Sequence, residues 1–423
     1  MSLKSWTRKL LPPSVIRLWH FCLAWWGAHR YGYPSEELLV IGVTGTSGKS
    51  STIYFLRQIL ESAGYRVGSL STIEFYVNGV SKLNDKKMTM LGKSAIQKYL
   101  RQMVAGGTDI AIIETTSEGA LQYRHRFINY DMMMLTNLYP EHIEAHGSFE
   151  NYKKAKLAIF RHGANLKRKE NSHPDQVGGS RPGREKWRMG SRNSQGERIP
   201  KVAIVNGESE FADEFLSFPF DQKIRFTRDD AVPTNVLGKH NAYNIAAARA
   251  VAHVLGVSGE AIRASAMTLT PPPGRIESIP EAERRGFRVI VDYAFEPVAI
   301  AALYETVASL QPKRIIHVFG STGGGRDKSR RFTVGEYVGK HANICIITDE
   351  DPYDDDPLEI MRDVADAVMQ TGKKDGETLF TIPERRAAIH KALALAEPGD
   401  IVLATGKGSE QAMCVAGGKK IPW

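Results

Sequence analysis

A glycine-rich segment carries the clearest chemistry in this sequence: residues 45–50 read Gly-Thr-Ser-Gly-Lys-Ser, after an apolar run and before a stretch of helical periodicity. Between a strand and a helix, such glycines let the backbone close around phosphate oxygens, and the N–H groups that begin the helix point at the anion. Lys49 is expected to contact the β- and γ-phosphates, and the Ser50 hydroxyl to coordinate Mg²⁺. The segment therefore predicts a MgATP site. The residues predicted to bind it are Gly45, Thr46, Ser47, Gly48, Lys49, Ser50 and Ser51.

Two further polar side chains follow predicted strands. Glu114 closes the apolar run 110–113, which places a carboxylate at the carboxyl edge of a sheet, where ligands bind. We expect Glu114 to coordinate the metal; the alternative is that it caps the next turn. His142 lies just past the predicted strand 131–135 and so at the same edge. A histidine in a loop is more often structural than a ligand, and its position beside Glu114 is what makes His142 a candidate.

The elements that must position these side chains alternate between strand and helix patterns along residues 38–160. Alternation of this kind predicts a mostly parallel sheet with helices on both faces. The run Pro271-Pro272-Pro273-Gly274 interrupts the pattern, and a second alternating unit follows it. We therefore predict an α/β protein with a P-loop central domain and a Rossmann-like C-terminal domain. The predicted boundaries are 1–37 for an N-terminal helical segment, 38–270 for the central domain and 271–423 for the C-terminal domain.

The formal charge of the 423-residue chain is +9, and most of the excess lies in one stretch. Residues 161–201 hold 11 Lys/Arg and 4 Asp/Glu, together with a Gly/Ser/Pro-rich run. We interpret 161–200 as a basic, mobile insertion at the surface, and we expect no nucleic-acid partner; binding to nucleic acid or anionic lipid is the alternative. The three cysteines are far apart, which fits a reducing, cytoplasmic location and disfavours a disulfide scaffold.

The N-terminal segment is apolar and aromatic between residues 15 and 26, and Lys4, Arg8 and Lys9 precede it. Arg17 and His20 interrupt the apolar run, so it does not match a signal peptide or a membrane span. Two interpretations stay open. The segment is a helix packed on the next domain, or it is an interfacial helix in peripheral contact with the inner membrane leaflet.

Taken together, the motifs resemble those of the Mur ligases, the ATP-dependent amide-forming enzymes of peptidoglycan synthesis. Within that family the chain is most similar to the enzymes that add lysine or diaminopimelate as the third peptide residue. The resemblance runs from about residue 38 to the C-terminus. The motifs that carry it are Gly45–Ser50, Glu114, Thr136-Asn137, Glu141-His142, Tyr152 with Ala155-Lys156, Gly238–Asn241 with Asn244, Gly274-Arg275, Val291–Ala294, Phe319-Gly320, Gly325–Asp327 with Arg331, and Gly406–Gly408 with Glu410.

The resemblance implies a mechanism and a set of roles on the ATP side. ATP phosphorylates a substrate carboxylate, and an incoming amine displaces phosphate from the acyl phosphate. Lys49, Glu114, His142 and Lys156 would be the catalytic set. Two Mg²⁺ sites are expected, with metal ligands at Ser50, Glu114, His142 and a carbamylated Lys156. Without the resemblance, Lys156 would be an ordinary lysine on an exposed helix face.

The remaining family roles concern the nucleotide and the substrates. Asn241 and Asn244 match the adenine-contact region, Arg275 would contact the nucleotide phosphates, and Asp292 the ribose hydroxyls. The substrates implied are a muropeptide, either a small molecule or lipid-linked, and an amino acid. The residues expected to bind them are Thr89, Ser117, Arg326, Asp351, Gly406 and Glu410.

The sequence departs from the family pattern in three respects. We expect the N-terminal domain that grips the UDP-sugar to be missing, so the acceptor stays open between a UDP-linked and a lipid-linked precursor. The ligase subunit of lipid II isoglutaminyl synthase also lacks that domain and acts on a lipid-linked precursor. Glu350-Asp351-Pro352-Tyr353 replaces the Asp-Asn-Pro-Arg motif of the diaminopimelate enzymes, whose Arg binds the distal carboxylate. Lysine is therefore favoured over diaminopimelate, although these residues also suit a solvated acidic loop. Glu118, Glu141 and Phe295 also replace family residues.

Two alternatives to a cell-wall ligase remain at this point. One is a folylpolyglutamate-synthase-like ligase, a group that shares the architecture but typically has Gly where this chain has Ser50. The other is a nucleotide-binding scaffold that has lost its chemistry. An enzyme is favoured by the joint retention of Lys49, Glu114, His142, Lys156, Arg275 and Asp292.

Overall fold

The computed structural model describes residues 12–86, 88–140, 146–169 and 198–422. The chain divides into two compact units. The first comprises Met1–Asn235 and His240–Thr270, and the second comprises Val236–Lys239 and Pro271–Trp423. The main division thus falls where the run of three prolines begins.

The first unit is built on an eight-stranded sheet in the order β4-β3-β2-β5-β1-β6-β7-β8. Its pairs are parallel, except that β3 pairs antiparallel with both β2 and β4. The strands are β1 Leu39–Thr44, β2 Val67–Leu70, β3 Glu74–Val77, β4 Val80–Leu83, β5 Ile110–Glu114, β6 Met132–Leu135, β7 Val202–Asn206 and β8 Gln222–Phe226. Because β1 is central and β5 and β6 flank it, the carboxyl ends of these three strands lie side by side.

Helices follow most of these strands. They are α1 Pro13–Arg30, α2 Lys49–Ser62, α3 Lys93–Ala105, α4 Ser117–Leu121, α5 Phe149–Ala164, α6 Ala212–Leu216, α7 His240–Val254 and α8 Gly259–Ala266, with a 3-10 turn at Pro34–Glu37. Strands β1, β5 and β6 are buried along their whole length. Burial on both faces explains why they are continuous apolar runs. No described helix is both long and apolar enough to cross a bilayer.

The second unit has a six-stranded sheet in the order β13-β12-β11-β14-β10-β9, parallel apart from the edge strand β9, and a separate hairpin β15-β16. Its strands are β9 Glu277–Ser278, β10 Arg288–Val291, β11 Ile315–Phe319, β12 Ile344–Ile347, β13 Leu379–Thr381, β14 Ile401–Ala404, β15 Ala412–Val415 and β16 Lys419–Pro422. Its helices are α9 Pro280–Glu283, α10 Pro297–Ala308, α11 Ser329–His341, α12 Pro357–Met369 and α13 Arg385–Leu395. The α/β fold with a mostly parallel sheet and a second sheet domain, as predicted, is confirmed.

The described edges of the predicted 161–200 insertion are ordered and packed. Helix α5 continues to Ala164, and both Lys169 and Lys201 are buried. Lys169 Nζ donates to the Leu38 carbonyl at 2.7 Å, and both amines contact the Asp131 carboxylate. Burial lowers the pKa of each lysine, and Asp131 opposes that effect. Residues 170–197 lie outside the described part, and the chain enters and leaves them beside the amino ends of β1, β6 and β7, opposite the glycine-rich loop.

Candidate active site

The glycine-rich loop that begins at Gly45 joins the carboxyl end of β1 to α2, in the strand–loop–helix context that the sequence predicts. Gly45 and Gly48 have φ of 148° and 74°, where residues with a side chain are strained. A Cβ on Gly45 would lie 1.9 Å from Thr136 Oγ1, and a Cβ on Gly48 would lie 2.3 Å from Asn244 Oδ1. Both glycines are therefore required by backbone angle and by space.

Asn137 and Thr136, at the end of β6, hold the loop in shape. Asn137 Oδ1 accepts hydrogen bonds from the backbone N–H of Thr46 at 3.1 Å and of Ser47 at 2.9 Å. Thr136 Oγ1 donates to the Ser47 carbonyl at 2.7 Å. Lys49 Nζ donates to the Thr46 carbonyl at 2.9 Å, so its amine lies over the loop. The sequence motif marks Thr136-Asn137, but only the structure shows that these side chains position the loop amides.

Ser50 and Glu114 meet directly, which joins the start of α2 to the end of β5. Ser50 Oγ donates to Glu114 Oε2 at 2.8 Å. The same oxygen accepts from the Thr72 backbone N–H at 2.7 Å and from Thr72 Oγ1 at 3.0 Å. Glu114 is buried, and these three donors hold its carboxylate in place. Thr72 is a neighbour that sequence reasoning missed.

Oxygen ligands of this kind suit Mg²⁺, which takes few protein carboxylates and keeps several waters. The described residues hold no cluster of three or more His, Cys, Asp or Glu side chains suited to a metal. A hydroxyl beside one buried carboxylate at a phosphate loop nevertheless fits a magnesium ion that also binds the phosphates. His142 and Glu141, predicted near this edge, lie outside the described residues.

Lys156 is buried, unlike the exposed lysine that its helix would suggest without the family resemblance. Its side chain is on α5, and Nζ donates to the Gly45 carbonyl at 2.7 Å. The amine also lies 4.6 Å from the centre of the Tyr152 ring, whose hydroxyl donates to Thr46 Oγ1 at 3.2 Å. Helix α5 thus supports the loop from the side of β6, and Tyr152, marked in the sequence without a role, is one of its contacts.

Asn241 and Asn244 lie on α7, which packs against α2 in the first unit. Asn244 Oδ1 accepts from Thr52 Oγ1 at 3.2 Å, and its amide donates to Asn241 Oδ1 at 2.9 Å. Both side chains are buried. The structure therefore places this pair against Gly48 and the first turn of α2, close to the loop that would hold the nucleotide.

The predicted acceptor-side residues of the first unit lie on neighbouring elements. Ser117 begins α4 directly after β5, is buried, and its hydroxyl lies 3.1 Å from His146 Nε2. Thr89 is half-buried in the segment that precedes α3. The contact of Ser117 with His146 joins α4 to the segment that leads into α5.

In the second unit, Arg275 and Asp292 are anchored close together. The Arg275 guanidinium lies over the Tyr293 ring, 4.2 Å from its centre, and donates to the Gly274 carbonyl at 3.0 Å. The Asp292 carboxylate accepts from the backbone N–H of Ile276 and of Ala294, each at 2.7 Å. Asp292 therefore fixes the turn after β10 as well as being a candidate ligand of ribose.

Lys407 links two of the predicted substrate residues. Its Nζ contacts Asp351 Oδ1 at 3.0 Å, Glu410 Oε2 at 2.7 Å and the Ala412 carbonyl at 2.9 Å. Asp351 Oδ1 also accepts from the Cys414 backbone N–H at 2.6 Å. Lys407 is completely buried, so it offsets the charge of both carboxylates inside the protein. The sequence motif contains Lys407, but its role as the link was not predicted.

Glu350 lies beside this group, and its carboxylate is also buried. The side chain is 2% exposed, and its Oε2 has no hydrogen-bond partner among the described atoms. Burial raises the pKa of Glu350 to about 7, while Arg385 and Lys407 oppose the shift. A Cβ on Gly406 would lie 2.1 Å from Glu350 Oε2, so Gly406 is needed for the carboxylate to fit.

Tyr353 takes the place of the Arg in the diaminopimelate motif. Burial raises the pKa of Tyr353, and a hydrogen bond from Arg326 opposes that rise. Its φ of 53° lies in the left-handed region, which is uncommon for a residue with a side chain. Among the predicted substrate residues of the second unit, the structure brings Asp351 and Glu410 together through Lys407, and it places Gly406 against Glu350.

Solved structures share this architecture. One of a UDP-N-acetylmuramoyl-L-alanyl-D-glutamate–2,6-diaminopimelate ligase aligns with a TM-score of 0.56 and 24% identity, over 91% of this chain and 76% of that one. A folylpolyglutamate synthase from Mycobacterium tuberculosis, complexed with ADP, aligns with a TM-score of 0.60 and 16% identity, over 94% and 92% of the two chains. At such identities the similarity shows a common fold.

Sequence comparison is more specific. A family model described as the Mur ligase middle domain matches residues 43–252, and one described as the Mur ligase glutamate ligase domain matches 274–408. The UDP-N-acetylmuramyl-tripeptide synthetase of Borrelia garinii subsp. bavariensis is 34% identical over 397 residues, 90% of this chain and 74% of the relative. These matches define an ATP-dependent enzyme that forms C–N bonds. The chain belongs to the Mur ligase family, whose members form peptide bonds in peptidoglycan precursor synthesis, and the predicted family is confirmed.

Proposed function

We propose that this enzyme joins an amino acid to a carboxylate of a muramyl-peptide precursor through an acyl phosphate, with release of ADP and phosphate. The observation that carries the proposal is the contact of Ser50 with Glu114 at 2.8 Å beside a fully formed phosphate loop. It supplies the hydroxyl and carboxylate oxygens that a nucleotide-bound magnesium ion needs. The names of the relatives, tripeptide synthetase and diaminopimelate ligase, support the substrate class.

Different residues would bind the different parts of MgATP. The loop amides and Lys49 would hold the β- and γ-phosphates, with Thr136 and Asn137 keeping the amides in position. Ser50 and Glu114 would hold Mg²⁺, which when bound offsets negative charge on the transferred phosphoryl group. Asn241 and Asn244 would lie toward adenine, and Arg275 and Asp292 of the second unit would bind nucleotide phosphate and ribose.

Lys156 is proposed to be carbamylated in the active enzyme, with His142 completing a second Mg²⁺ site. The motif around Tyr152 supports this, as does the burial of Lys156 beside the loop. The unmodified amine donates to the Gly45 carbonyl, so carbamylation would replace this contact with an anion suited to a cation. The test is Lys156→Ala with added acetate or bicarbonate. Rescue of turnover supports the carbamate, and a stable variant that retains full activity without rescue contradicts it.

The binding site for the incoming amino acid would lie in the second unit, around Asp351, Lys407 and Glu410. Tyr353 in place of the motif Arg leaves a distal carboxylate without its usual partner, so we propose lysine over diaminopimelate as the incoming amino acid.

The experiment that tests the function is phosphate release in the presence of ATP and Mg²⁺, with UDP-linked and lipid-linked muropeptides crossed against lysine, diaminopimelate and other amino acids. Turnover that requires both a muropeptide and an amino acid supports the proposal. A folylpolyglutamate acceptor with glutamate serves as the control arm. Turnover in that arm alone would contradict the muropeptide assignment while leaving the ligase chemistry intact.

A further inference from the structure

Helix α1 packs against the protein through its smallest side chains. Ala24, Gly27 and Ala28 are buried, and α1 lies against α3. A Cβ on Gly27 would lie 2.9 Å from the Ser94 Cα, so any larger residue would push the helices apart. The inner face of α1 is therefore adapted to close packing on the first unit.

Its outer face carries the large apolar side chains. Trp19 is 62% exposed and Trp26 is 52% exposed, which reverses the usual arrangement of an amphipathic helix on a globular protein. At 100° per residue these positions fall on one side of the helix, opposite Ala24. The exposed apolar residues of this face are Val15, Leu18, Trp19, Leu23, Trp25 and Trp26. A continuous apolar surface of this kind marks an interaction site.

The amino-acid composition of the N-terminal sequence favours one kind of partner for this face. Residues 1–35 contain five Lys or Arg and no Asp or Glu. Four of the six tryptophans of the chain also lie in this range. Tryptophan concentrates where an apolar layer meets water, and basic residues are attracted to anionic headgroups. A protein partner would need a groove of matched shape, whereas a lipid surface needs only this combination of outward aromatics and positive charge.

We propose that α1 is a membrane-surface helix, which lies along an anionic bilayer with Trp19, Trp25 and Trp26 in the headgroup region. The helix cannot turn its inner face to lipid, because that face is packed on α3. The His20 ring nitrogen Nδ1 lies 2.8 Å from Lys93 Nζ, and Phe21 contacts Phe127 with ring centres 5.3 Å apart. These contacts fix the helix to the body of the first unit. Binding through α1 therefore places that unit itself against the membrane.

The test is co-sedimentation of the full-length protein with vesicles of phosphatidylcholine alone or mixed with phosphatidylglycerol. The proposal predicts binding to the anionic vesicles that weakens with salt, and quenching of tryptophan fluorescence by brominated lipid. The double variant Trp19→Gln/Trp26→Gln is expected to lose roughly tenfold or more in vesicle affinity. A matched control, Val298→Gln/Phe332→Gln, removes two exposed apolar residues of the second unit and should bind as the wild type does.

Several results would overturn the proposal. They are failure of the wild type to bind anionic vesicles, and equal binding by the Trp19/Trp26 variant. A wild-type dimer that the variant converts to a monomer, with no vesicle binding, would assign the face to a second copy instead. Unchanged thermal unfolding and nucleotide binding establish that the variant is folded. Should it not fold, quenching of wild-type fluorescence by brominated lipid decides the matter. None of these measurements requires turnover, so their outcome is separate from that of the proposed function.

Discussion

Replacement of Glu350 by Gln should make the second unit less sensitive to pH. Glu350 is buried, and burial raises its pKa from 4.5 to about 7. The folded protein therefore holds this proton more tightly than the unfolded chain does. For an acid of this kind, the stabilisation is fully present below pH 4.5 and is lost as the pH rises through about 7. Gln resembles the protonated acid at every pH and has no such transition.

The size of the effect follows from those two pKa values. Their difference corresponds to a change of about 3 kcal/mol in unfolding free energy between a pH below both values and a pH above both. Between about pH 5.5 and about pH 8.5, the wild type should lose about 2 kcal/mol of unfolding free energy through this group. The Gln variant should therefore gain about 2 kcal/mol relative to wild type across the same interval. The buried Arg385 and Lys407 already lower the pKa from the value that burial alone would give.

The assay is urea unfolding at both pH values, followed by pulsed hydrogen exchange and mass spectrometry of peptides from β11 and β14. These peptides report on the second unit alone. Glu359→Gln is the matched control, since Glu359 is on the exposed surface of α12. Its difference from wild type should not change with pH. If the Glu350→Gln difference is equally constant, Glu350 is not protonated near neutral pH and the account of this buried group is wrong.

Three further predictions concern the glycine-rich loop, the basic insertion and the buried Lys407 of the second unit. Gly45→Ala should reduce ATP affinity at least tenfold by calorimetry, because its Cβ would clash with Thr136 Oγ1; Gly79→Ala, at a positive φ but with open space around it, is the control and should bind ATP normally. Replacing residues 170–197 by a short Gly/Ser linker should leave ATP affinity within about twofold by the same assay, since both ends lie opposite the loop; a tenfold loss would show that the insertion reaches the nucleotide. Lys407→Met should leave the buried carboxylate of Asp351 and the half-buried carboxylate of Glu410 without their cation and cost about 3–5 kcal/mol of unfolding free energy in the second unit, measured by urea denaturation; a loss below about 1 kcal/mol would contradict the assigned pairing.

The sequence predicts those features of the fold and the candidate site that depend on a local pattern of residues. The phosphate loop, Glu114 at the end of β5 and the alternation of strands with helices all depend on residues close together in the chain. The short hairpin of β3 and β4 was not predicted, because Val80 and its neighbours on β4 are exposed and carry no apolar run.

Contacts between distant residues explain the other omissions. Thr72 meets Glu114 only because β2 pairs with β5, and Asn137 meets Thr46 only because β6 pairs with β1. The positions of Thr72 and Asn137 in the sequence do not reveal which distant residues they contact. Lys169 and Lys201 read as part of a solvated basic stretch, yet a single buried carboxylate, Asp131, brings both into the interior.

The most direct test of the central claim is a single assay of phosphate release with ATP, Mg²⁺, a muropeptide and lysine, each omitted in turn. Release should require all four components, and a peptide product heavier by one lysine should accumulate in equal amount to phosphate. Ser50→Ala and Glu114→Gln should each reduce the rate at least 100-fold, a loss of about 3 kcal/mol of transition-state stabilisation. Release that continues at the same rate without any acceptor or amino acid would contradict the assignment of this chain as a peptide-bond-forming ligase.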